Sequence, residues 1–481
     1  MLNLSQNNFR QKRNVFVLLG IIVLNFVIKF IYVDYPDIGG DEPFSIFYAN
    51  ADLKTYFEII HTENNPPLYL FLLKGWIKLF GMTPLSVRMM SVIFSSLTAG
   101  VIFQLGKRYF SFKVGLLTAL LFTFTTYHME FAHQARVYAL FGLLTMTSMY
   151  SYLRLVIDNQ KRHAILLVLY NILLIYAHFF GFFVVLIQFA SALFIKDIRT
   201  GKFKELFIGW IITGLAYIPF ISITLGRFTD SASETWQSTV KITDLYNNLW
   251  NFSNQPFNTV IFLLILIGGL FTFLIRTHKE ALKTQYKVVA IWFLVPYFLM
   301  FFISFYIPMF LYRYLVFLSF GYYFLIAISL ETIIRKALFF YIISILLVVM
   351  MSFTCNFKVG NSRPDKIIVD KIKESKGENT SVVVCPKWHF LLFSYHYDID
   401  MFKDYSHIFS RLEKEKVYPV YKLSDEIKEQ INKSDTIIFL DAWASLTDPE
   451  MSLKSYLDNN FNLIREPDVY DGTTVSYYCQ K

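Results

Sequence analysis

Long apolar runs separated by short polar turns occupy the first three quarters of this 481-residue chain. A helix that crosses a bilayer needs about 20 predominantly apolar residues. About eleven runs approach or reach that length, and each predicts a membrane-spanning helix. They cover residues 14–33, 84–105, 113–127, 137–155, 163–177, 180–196, 205–225, 258–275, 287–306, 310–331 and 337–356.

One further apolar run, residues 66–80, is short and contains Lys74 and Lys78. Placing it across the membrane would invert the charge pattern of every later turn, so it is expected to lie in the interface as an amphipathic helix. Residues 34–83 are then the first external loop, with interfacial helices. Residues 226–257, which are polar and aromatic, are expected to form a second external loop that covers a site.

Beyond residue 356 the apolar runs shorten to strand length and charged residues become frequent. Residues 1–356 are therefore expected to form the membrane bundle, and residues 357–481 a small α/β domain. Within that domain a helix is expected over 423–433, starting at Ser424. Strands are expected over 381–386, 435–443 and 473–479.

Composition agrees with a membrane protein, because 55% of the residues are hydrophobic and only 17% are charged. The formal net charge of +9 comes from basic residues concentrated in alternate turns, which is typical of cytoplasmic loops. This topology explains the charge without nucleic-acid binding. It predicts a multi-pass protein of the cell (inner) membrane, with a cytoplasmic N-terminus and an extracytoplasmic C-terminal domain.

The three cysteines are Cys355, Cys385 and Cys479, and their spacing matches no metal-binding pattern. Cys385 and Cys479 both belong to the predicted extracytoplasmic domain. A disulfide between them and a pair of free thiols are both compatible with the sequence.

The segment DIGGDEPF, residues 37–44, places Asp41 and Glu42 directly after the first span. Gly39 and Gly40 permit an unusual turn, and Pro43 suits the first position of a helix. Asp41 is therefore either a helix cap or a carboxylate at an apolar interface, where general-base work is expected.

A second candidate segment, HTENNPPLYLF, contains His61, Asn64 and Asn65 before a double proline. The prolines predict a rigid turn into the interfacial helix. The sequence leaves open whether this turn is only structural or lines a site.

Four ionisable residues crowd the turn at 127–140: His128, Glu130, His133 and Arg136. Arg136 lies at the mouth of a predicted span, where a guanidinium is expected to pair with a carboxylate or phosphate. The two histidines and Glu130 are either surface residues or ligands of a divalent metal.

Two more ionisable residues lie at predicted external turns. His178 stands in YAHFFGFF, and Arg313 begins a span in YIPMFLYRYL. Each has a structural alternative: a satisfied turn histidine, or an arginine that reaches toward lipid phosphates. All of these features are expected on one face of the membrane, which favours a site for a charged amphiphile.

The motifs in order resemble the bacterial glycosyltransferase family 39, relatives of the dolichyl-phosphate-mannose protein mannosyltransferases and of the aminoarabinose transferases of lipid A. They are the DE pair, NPPLYLFLLKGWIKLFG, SVRMMSVIFSSLTAGVIFQLGKRYF, HQARVYAL and YAHFFGFF. The resemblance covers residues 10–330. It implies a GT-C fold, a polyprenyl-phosphate-sugar donor, a glycan, lipid or protein acceptor, and inversion at the anomeric carbon.

The same resemblance implies roles for individual residues. Asp41 matches the proposed catalytic base, and Glu42 completes the acidic pair. Relatives often carry His or Lys where this chain has Asn65. Substrate-binding roles are implied for His61, Asn64, Asn65, His133, Arg136, Tyr138, His178 and Arg313.

The sequence identifies no definite cofactor, and a divalent metal stays open, with Glu42, His128, Glu130 and His133 as candidate ligands. Two other functions compete with transfer. A flippase or transporter of lipid-linked sugars predicts charges near the bilayer midplane and inverted repeats. A surface-polysaccharide ligase predicts a large external loop late in the chain.

Overall fold

The computed structural model describes residues 2–59, 65–233, 240–276, 282–360 and 364–481. Its helices are α1 (Leu2–Phe30), α2 (Glu42–Asn50), α3 (Leu53–Ile59), α4 (Leu68–Phe80), α5 (Pro84–Tyr109), α6 (Phe112–Thr123), α7 (Thr126–Ala132), α8 (Tyr138–Val156), α9 (Arg162–Ala177), α10 (Gly181–Phe194), α11 (Lys196–Ser233), α12 (Thr243–Ser253), α13 (Pro256–Arg276), α14 (Thr284–Ile303), α15 (Val316–Ile333), α16 (Ala337–Thr354), α17 (Asp365–Ser375), α18 (Phe390–Tyr397), α19 (Ile399–Lys403), α20 (Ile408–Lys414), α21 (Asp425–Asn432) and α22 (Ser452–Asn460).

Five strands and three short 3-10 helices complete the described structure. The strands are β1 (Thr380–Cys385), β2 (Val417–Pro419), β3 (Thr436–Asp441), β4 (Phe461–Tyr470) and β5 (Thr473–Gln480). The 3-10 helices are Tyr312–Tyr314, Lys387–His389 and Ala444–Leu446.

Each predicted apolar run coincides with a helix, and the chain is a multi-pass membrane protein. Seven helices of the described part of the chain are long and apolar enough to cross a bilayer: α1, α5, α11, α13, α14, α15 and α16. The helices α6, α9 and α10 are apolar but shorter. The predicted loop at 226–257 contains more helix than expected, because α11 continues to Ser233 and α12 begins at Thr243.

The first compact unit contains residues 2–33, 57–76 and 85–359, and is helical. Two glycines let α5 and α6 approach closely, since a Cβ atom on Gly106 would lie 2.4 Å from the Cα atom of Gly115. Such small-residue contacts are typical of helix packing in membranes, where no hydrophobic force drives helices together.

A buried polar network joins α8, α9 and α10 within this unit. The Asn171 amide donates to Gln188 Oε1 at 2.9 Å, and the Gln188 amide donates to Ser148 Oγ at 2.8 Å. The Ser148 hydroxyl in turn donates to Asn171 Oδ1 at 2.6 Å. Each polar side chain is thus satisfied by the other two, which makes the network tolerable in an apolar interior.

The second compact unit contains residues 34–56, 77–84 and 360–481. Its sheet has the strand order β2-β1-β3-β5-β4, with β1 parallel to β2 and β3, and β5 antiparallel to β3 and β4. The predicted strands correspond to β1, β3 and β5, and the predicted helix to α21, where the Ser424 hydroxyl accepts from the Ile427 amide. The sequence places a break near residue 357, and the structure adds two earlier segments to this unit.

All three cysteines are free. Cys385 pairs with Asp441 and Cys479 pairs with Thr436, at opposite ends of β3. Five residues of extended strand separate those ends by about 16 Å, whereas a disulfide needs Cα atoms within about 7 Å. Of the two alternatives left by the sequence, free thiols are therefore the one the fold permits.

Candidate functional site

Arg136 lies in the bend between α7 and α8, formed by residues 133–137. Its side chain is only 8% exposed. Tyr138, the first residue of α8, is also buried. The Tyr138 ring centroid lies 4.7 Å from that of Phe131 in α7. An aromatic contact thus closes the bend, and the bend holds a guanidinium inside the helical unit.

His178 occupies the tight turn between α9 and α10. Its Nδ1 atom accepts a hydrogen bond from the Phe180 amide at 3.1 Å, and its ring stacks on Phe141 with centroids 4.7 Å apart. The side chain is 2% exposed. Because Nδ1 accepts, the neutral ring carries its proton on Nε2, which leaves an N–H donor on the other side.

Arg313 lies in the 3-10 helix Tyr312–Tyr314, immediately before α15. Its guanidinium lies over the ring of Tyr314, 5.4 Å from the centroid. The Tyr314 ring also makes an edge contact with His178, with centroids 6.1 Å apart, and stacks on Phe180 at 4.7 Å. Aromatic contacts therefore link the Arg313 segment to the turn that carries His178.

These segments bring two cations within electrostatic range of one imidazole. Arg136 and Arg313 are both close enough for their charges to act on His178. The structure thus brings together three residues that the sequence separates by up to 177 positions. Two guanidinium groups and an imidazole N–H together favour an anion such as phosphate.

The remaining candidates of the turn have separate partners. Glu130 Oε1 accepts from the Tyr312 hydroxyl at 2.9 Å and from the Gln134 amide at 3.2 Å. His128 Nε2 contacts Ser319 Oγ at 2.8 Å, whereas His133 Nε2 lies 2.8 Å from the carbonyl oxygen of Lys29. Within the described residues, no group of three or more His, Cys, Asp or Glu side chains is arranged to hold a metal.

Two buried basic residues of the helical unit escaped the sequence-based prediction. Lys29 is fully buried near the end of α1, with Nζ 3.4 Å from the carbonyl oxygen of Thr125. Arg88, also fully buried, donates from Nη1 to the carbonyl oxygen of Val33 at 3.0 Å. A basic residue inside an otherwise apolar run was the available signal.

The acidic pair belongs to the second unit. Asp41 is exposed at the start of α2, and its side chain makes no capping hydrogen bond to that helix. Asp41 thus occupies the N-cap position of α2 without the side-chain hydrogen bond through which a capping residue usually stabilises a helix. Gly40 has a φ angle of +57°, in the left-handed region that glycine favours, and Glu42 is buried.

The proline-rich segment is described from Asn65 onward. His61 and Asn64 lie outside the described residues. Asn65 is half-buried just before α4.

Residues 64–225 match the family model described as dolichyl-phosphate-mannose-protein mannosyltransferase. This match confirms the family resemblance inferred from the motifs. No curated protein matches the chain by sequence.

Solved structures show the same fold at low sequence identity. The chain superposes on ArnT from Cupriavidus metallidurans, solved with undecaprenyl phosphate, with a TM-score of 0.61 and 12% identity over 96% of this chain and 97% of that one. The Archaeoglobus fulgidus oligosaccharyltransferase, in complex with zinc and sulfate, gives a TM-score of 0.51 and 10% identity over 87% of this chain and 67% of that one. The same enzyme tethered to an acceptor peptide gives 0.52 and 9% over 88% and 69%. The chain therefore has the GT-C fold of these membrane glycosyltransferases, as the resemblance implied.

Proposed function

We propose that this protein transfers a sugar from a polyprenyl-phosphate donor to an acceptor hydroxyl, with inversion at the anomeric carbon. The observation that carries the proposal is that the charges of Arg136 and Arg313 both act on His178, at the ends of three helical segments, and that Tyr314 links the Arg313 segment to the His178 turn. Such a cluster suits the phosphate of a lipid donor. The family match and the fold likeness to ArnT, solved with undecaprenyl phosphate, support the same donor class.

In the proposed reaction the acceptor oxygen forms a bond to the anomeric carbon as the bond from that carbon to the phosphate oxygen breaks. The phosphate leaves with the electron pair, and the charge that develops on it is stabilised by Arg136 and Arg313. Asp41 takes the proton of the acceptor hydroxyl as general base, and Glu42 completes the acidic pair. The exposed, non-capping carboxylate of Asp41 supports this role.

The proposed setting is the cell (inner) membrane, with a cytoplasmic N-terminus and an extracytoplasmic second unit. A lipid donor is anchored in the bilayer, which lowers the entropic cost of positioning its reactive end. The acceptor class is a glycan, a lipid or a protein.

The flippase alternative has less support from the helical unit. Lys29 stands one residue before the end of α1, and Arg88 in the second turn of α5. These buried charges are thus close to helix ends, whereas a transporter is expected to place ionisable residues near the bilayer midplane.

The test is a transfer assay with the full chain reconstituted in liposomes and a panel of radiolabelled polyprenyl-phosphate sugars. Asp41→Asn should reduce transfer by about 10²- to 10⁴-fold, the usual contribution of a general base. The matched control is Asp34→Asn, which removes an exposed carboxylate from the same segment and should retain transfer. Full activity of Asp41→Asn would remove Asp41 from the mechanism, and movement of the labelled lipid across the bilayer without transfer would favour a flippase.

A further inference from the structure

The segment that carries Asp41 folds with the C-terminal sheet domain. Residues 34–56 form one compact unit with residues 360–481, although more than 300 residues separate them in the chain. The contacts between these segments lie on both sides of Asp41 along the chain.

Two helices hold the residues that precede Asp41. The Nε2 atom of His396, in α18, lies 2.8 Å from the carbonyl oxygen of Ile38. Ile38 itself is fully buried. The backbone amide of Lys366, in the first turn of α17, donates to Asp37 Oδ2 at 3.3 Å. First-turn amides have no partner within their own helix, so the Asp37 carboxylate satisfies a group that the helix leaves open.

Aromatic packing holds the helix that follows Asp41. The Phe47 ring lies 5.9 Å from Phe390, 5.3 Å from Phe402 and 4.8 Å from Tyr405, measured between ring centroids. The Asn50 amide then donates to the carbonyl oxygen of Lys403 at 2.8 Å. The far end of α2 is thereby fixed to α18 and α19.

Between these two anchored segments the backbone makes a sharp turn. Gly40 has a positive φ angle, and the Glu42 amide donates to the Gly39 carbonyl oxygen at 3.2 Å. The turn can orient the Asp41 side chain only if the residue before the turn is held in place. That residue is Ile38, directly before Gly39, and its carbonyl oxygen contacts His396.

We infer that His396 is a positioning residue for Asp41, and that the C-terminal domain sets the orientation of this carboxylate through the His396–Ile38 hydrogen bond. The inference rests on the proposed function, in which Asp41 is the general base. It assigns the C-terminal domain a part in the reaction rate. Small displacements of a reacting group are costly, with about 100-fold lost for a misplacement of about 1 Å.

A carbonyl oxygen only accepts, so the Nε2 atom of His396 supplies the proton of its hydrogen bond to Ile38. Burial lowers the pKa of His396, while Asp37 and Asp370 act in the opposite direction and Lys366 reinforces the lowering. A neutral imidazole with its proton on Nε2 donates to the Ile38 carbonyl oxygen.

The experiment compares three variants of the full chain in liposomes. His396→Ala removes the donor, whereas His396→Gln keeps an N–H donor at about the position of Nε2. The control is His407→Ala, which removes an exposed histidine of the same domain whose partner is Asp404. We expect kcat to fall by about 10- to 100-fold in His396→Ala, with the donor KM changed by less than about twofold. His396→Gln should recover kcat to within about threefold of wild type, and the control should equal wild type.

A second readout does not depend on activity. A nitroxide label on Asp41→Cys, in a Cys479→Ser background, reports the mobility of the turn, and a label on exposed Glu450→Cys reports the rest of the domain. His396→Ala should increase the mobility of the label at position 41 only.

Unchanged mobility at position 41 would overturn the inference whatever the activity. Equal loss of kcat in His396→Ala and His396→Gln would also overturn it, because the hydrogen bond would then not be the cause. Increased mobility without a loss of kcat would uphold the positioning contact and count against Asp41 as base, so the two proposals fail separately.

Discussion

The hydroxyl of Tyr312 donates a hydrogen bond of 2.9 Å to Glu130 Oε1, joining α7 to the 3-10 helix that carries Arg313. The backbone carbonyl oxygen of Tyr312 accepts a second hydrogen bond from the Tyr127 hydroxyl. Tyr312 is thus held through both its side chain and its main chain. The position of the neighbouring Arg313 guanidinium therefore depends on a segment that hydrogen bonds to α7 hold in place.

Tyr312→Phe should therefore weaken both the fold and the use of donor. Loss of the hydroxyl removes one of the hydrogen bonds to the Glu130 carboxylate, and hydrogen bonds to charged groups contribute about 1.5–3 kcal/mol. We expect a lower thermal midpoint in detergent and a raised donor KM, because Arg313 follows directly. Thermal unfolding and initial-rate kinetics measure these two effects.

The control for this variant is Tyr306→Phe, at a position that is 90% exposed. Combining Tyr312→Phe with Glu130→Gln completes a double-mutant cycle that isolates the pair. Additive losses in the cycle would show that the two side chains do not act together.

The arginine cluster yields a second prediction. Arg136→Ala should raise the donor KM by about tenfold or more, since each factor of ten corresponds to about 1.4 kcal/mol of lost binding. Arg136→Lys should recover part of that loss, because lysine keeps the charge but not the planar, bidentate geometry of arginine. Binding of a polyprenyl phosphate, measured by titration, separates donor affinity from the chemical step.

The same titration applies to Arg313→Ala and to the double variant. Because both charges act on His178, their losses should be non-additive. Arg335→Ala, an exposed arginine beyond α15, is the matched control. Equal affinity of Arg136→Ala, Arg335→Ala and wild type for the lipid phosphate would contradict the proposed role of Arg136.

The polar network of the bundle gives a third prediction, which concerns stability. Asn171→Leu removes the partner of both Ser148 and Gln188, leaving polar groups buried among apolar helices. An unsatisfied buried group costs about 1–3 kcal/mol, although single hydrogen bonds within membranes average only about 0.6 kcal/mol. The expected result is a lower thermal midpoint with unchanged donor KM.

A thermal midpoint for Asn171→Leu at or above that of wild type would show that the helices repack around the apolar side chain and that the network contributes nothing net.

The sequence predicted the helices well for a physical reason. A span must hold about 20 apolar residues whatever its neighbours are, so the run itself carries the information. Strand β4 was missed because it lies at the sheet edge, where Arg465, Glu466 and Pro467 are tolerated and no apolar alternation is required. The only local signal was Asp471–Gly472, a two-residue hairpin turn in which Gly472 has a φ angle of +71°.

The site was predictable only in part. Arg136, His178 and Arg313 are visible as ionisable residues at helix ends, so the burial of Arg136 and His178 and the half-burial of Arg313 could be anticipated. Lys29 lies within the first predicted apolar run, residues 14–33, and its charge was not singled out there. The attachment of the Asp41 segment to the C-terminal domain depends on a contact between Ile38 and His396, residues 358 positions apart, and no local pattern encodes such a contact.

The cysteines of the second unit give the last prediction. Burial raises the pKa of the Cys385 thiol to about 11, whereas Cys479 is half-buried on β5. Thiolates, not thiols, react with maleimides, so at pH 8 only about one Cys385 side chain in a thousand is reactive. Cys479 should therefore label much faster, and the slow labelling of Cys385 should accelerate about tenfold per pH unit between pH 7 and 10.

Single-cysteine variants, followed by intact-mass spectrometry in detergent, measure both rates. In the wild-type chain, failure of both thiols to label until a reductant is added would mean that they are bridged. Their strand partners lie about 16 Å apart along β3, so such a bridge would need a different sheet register.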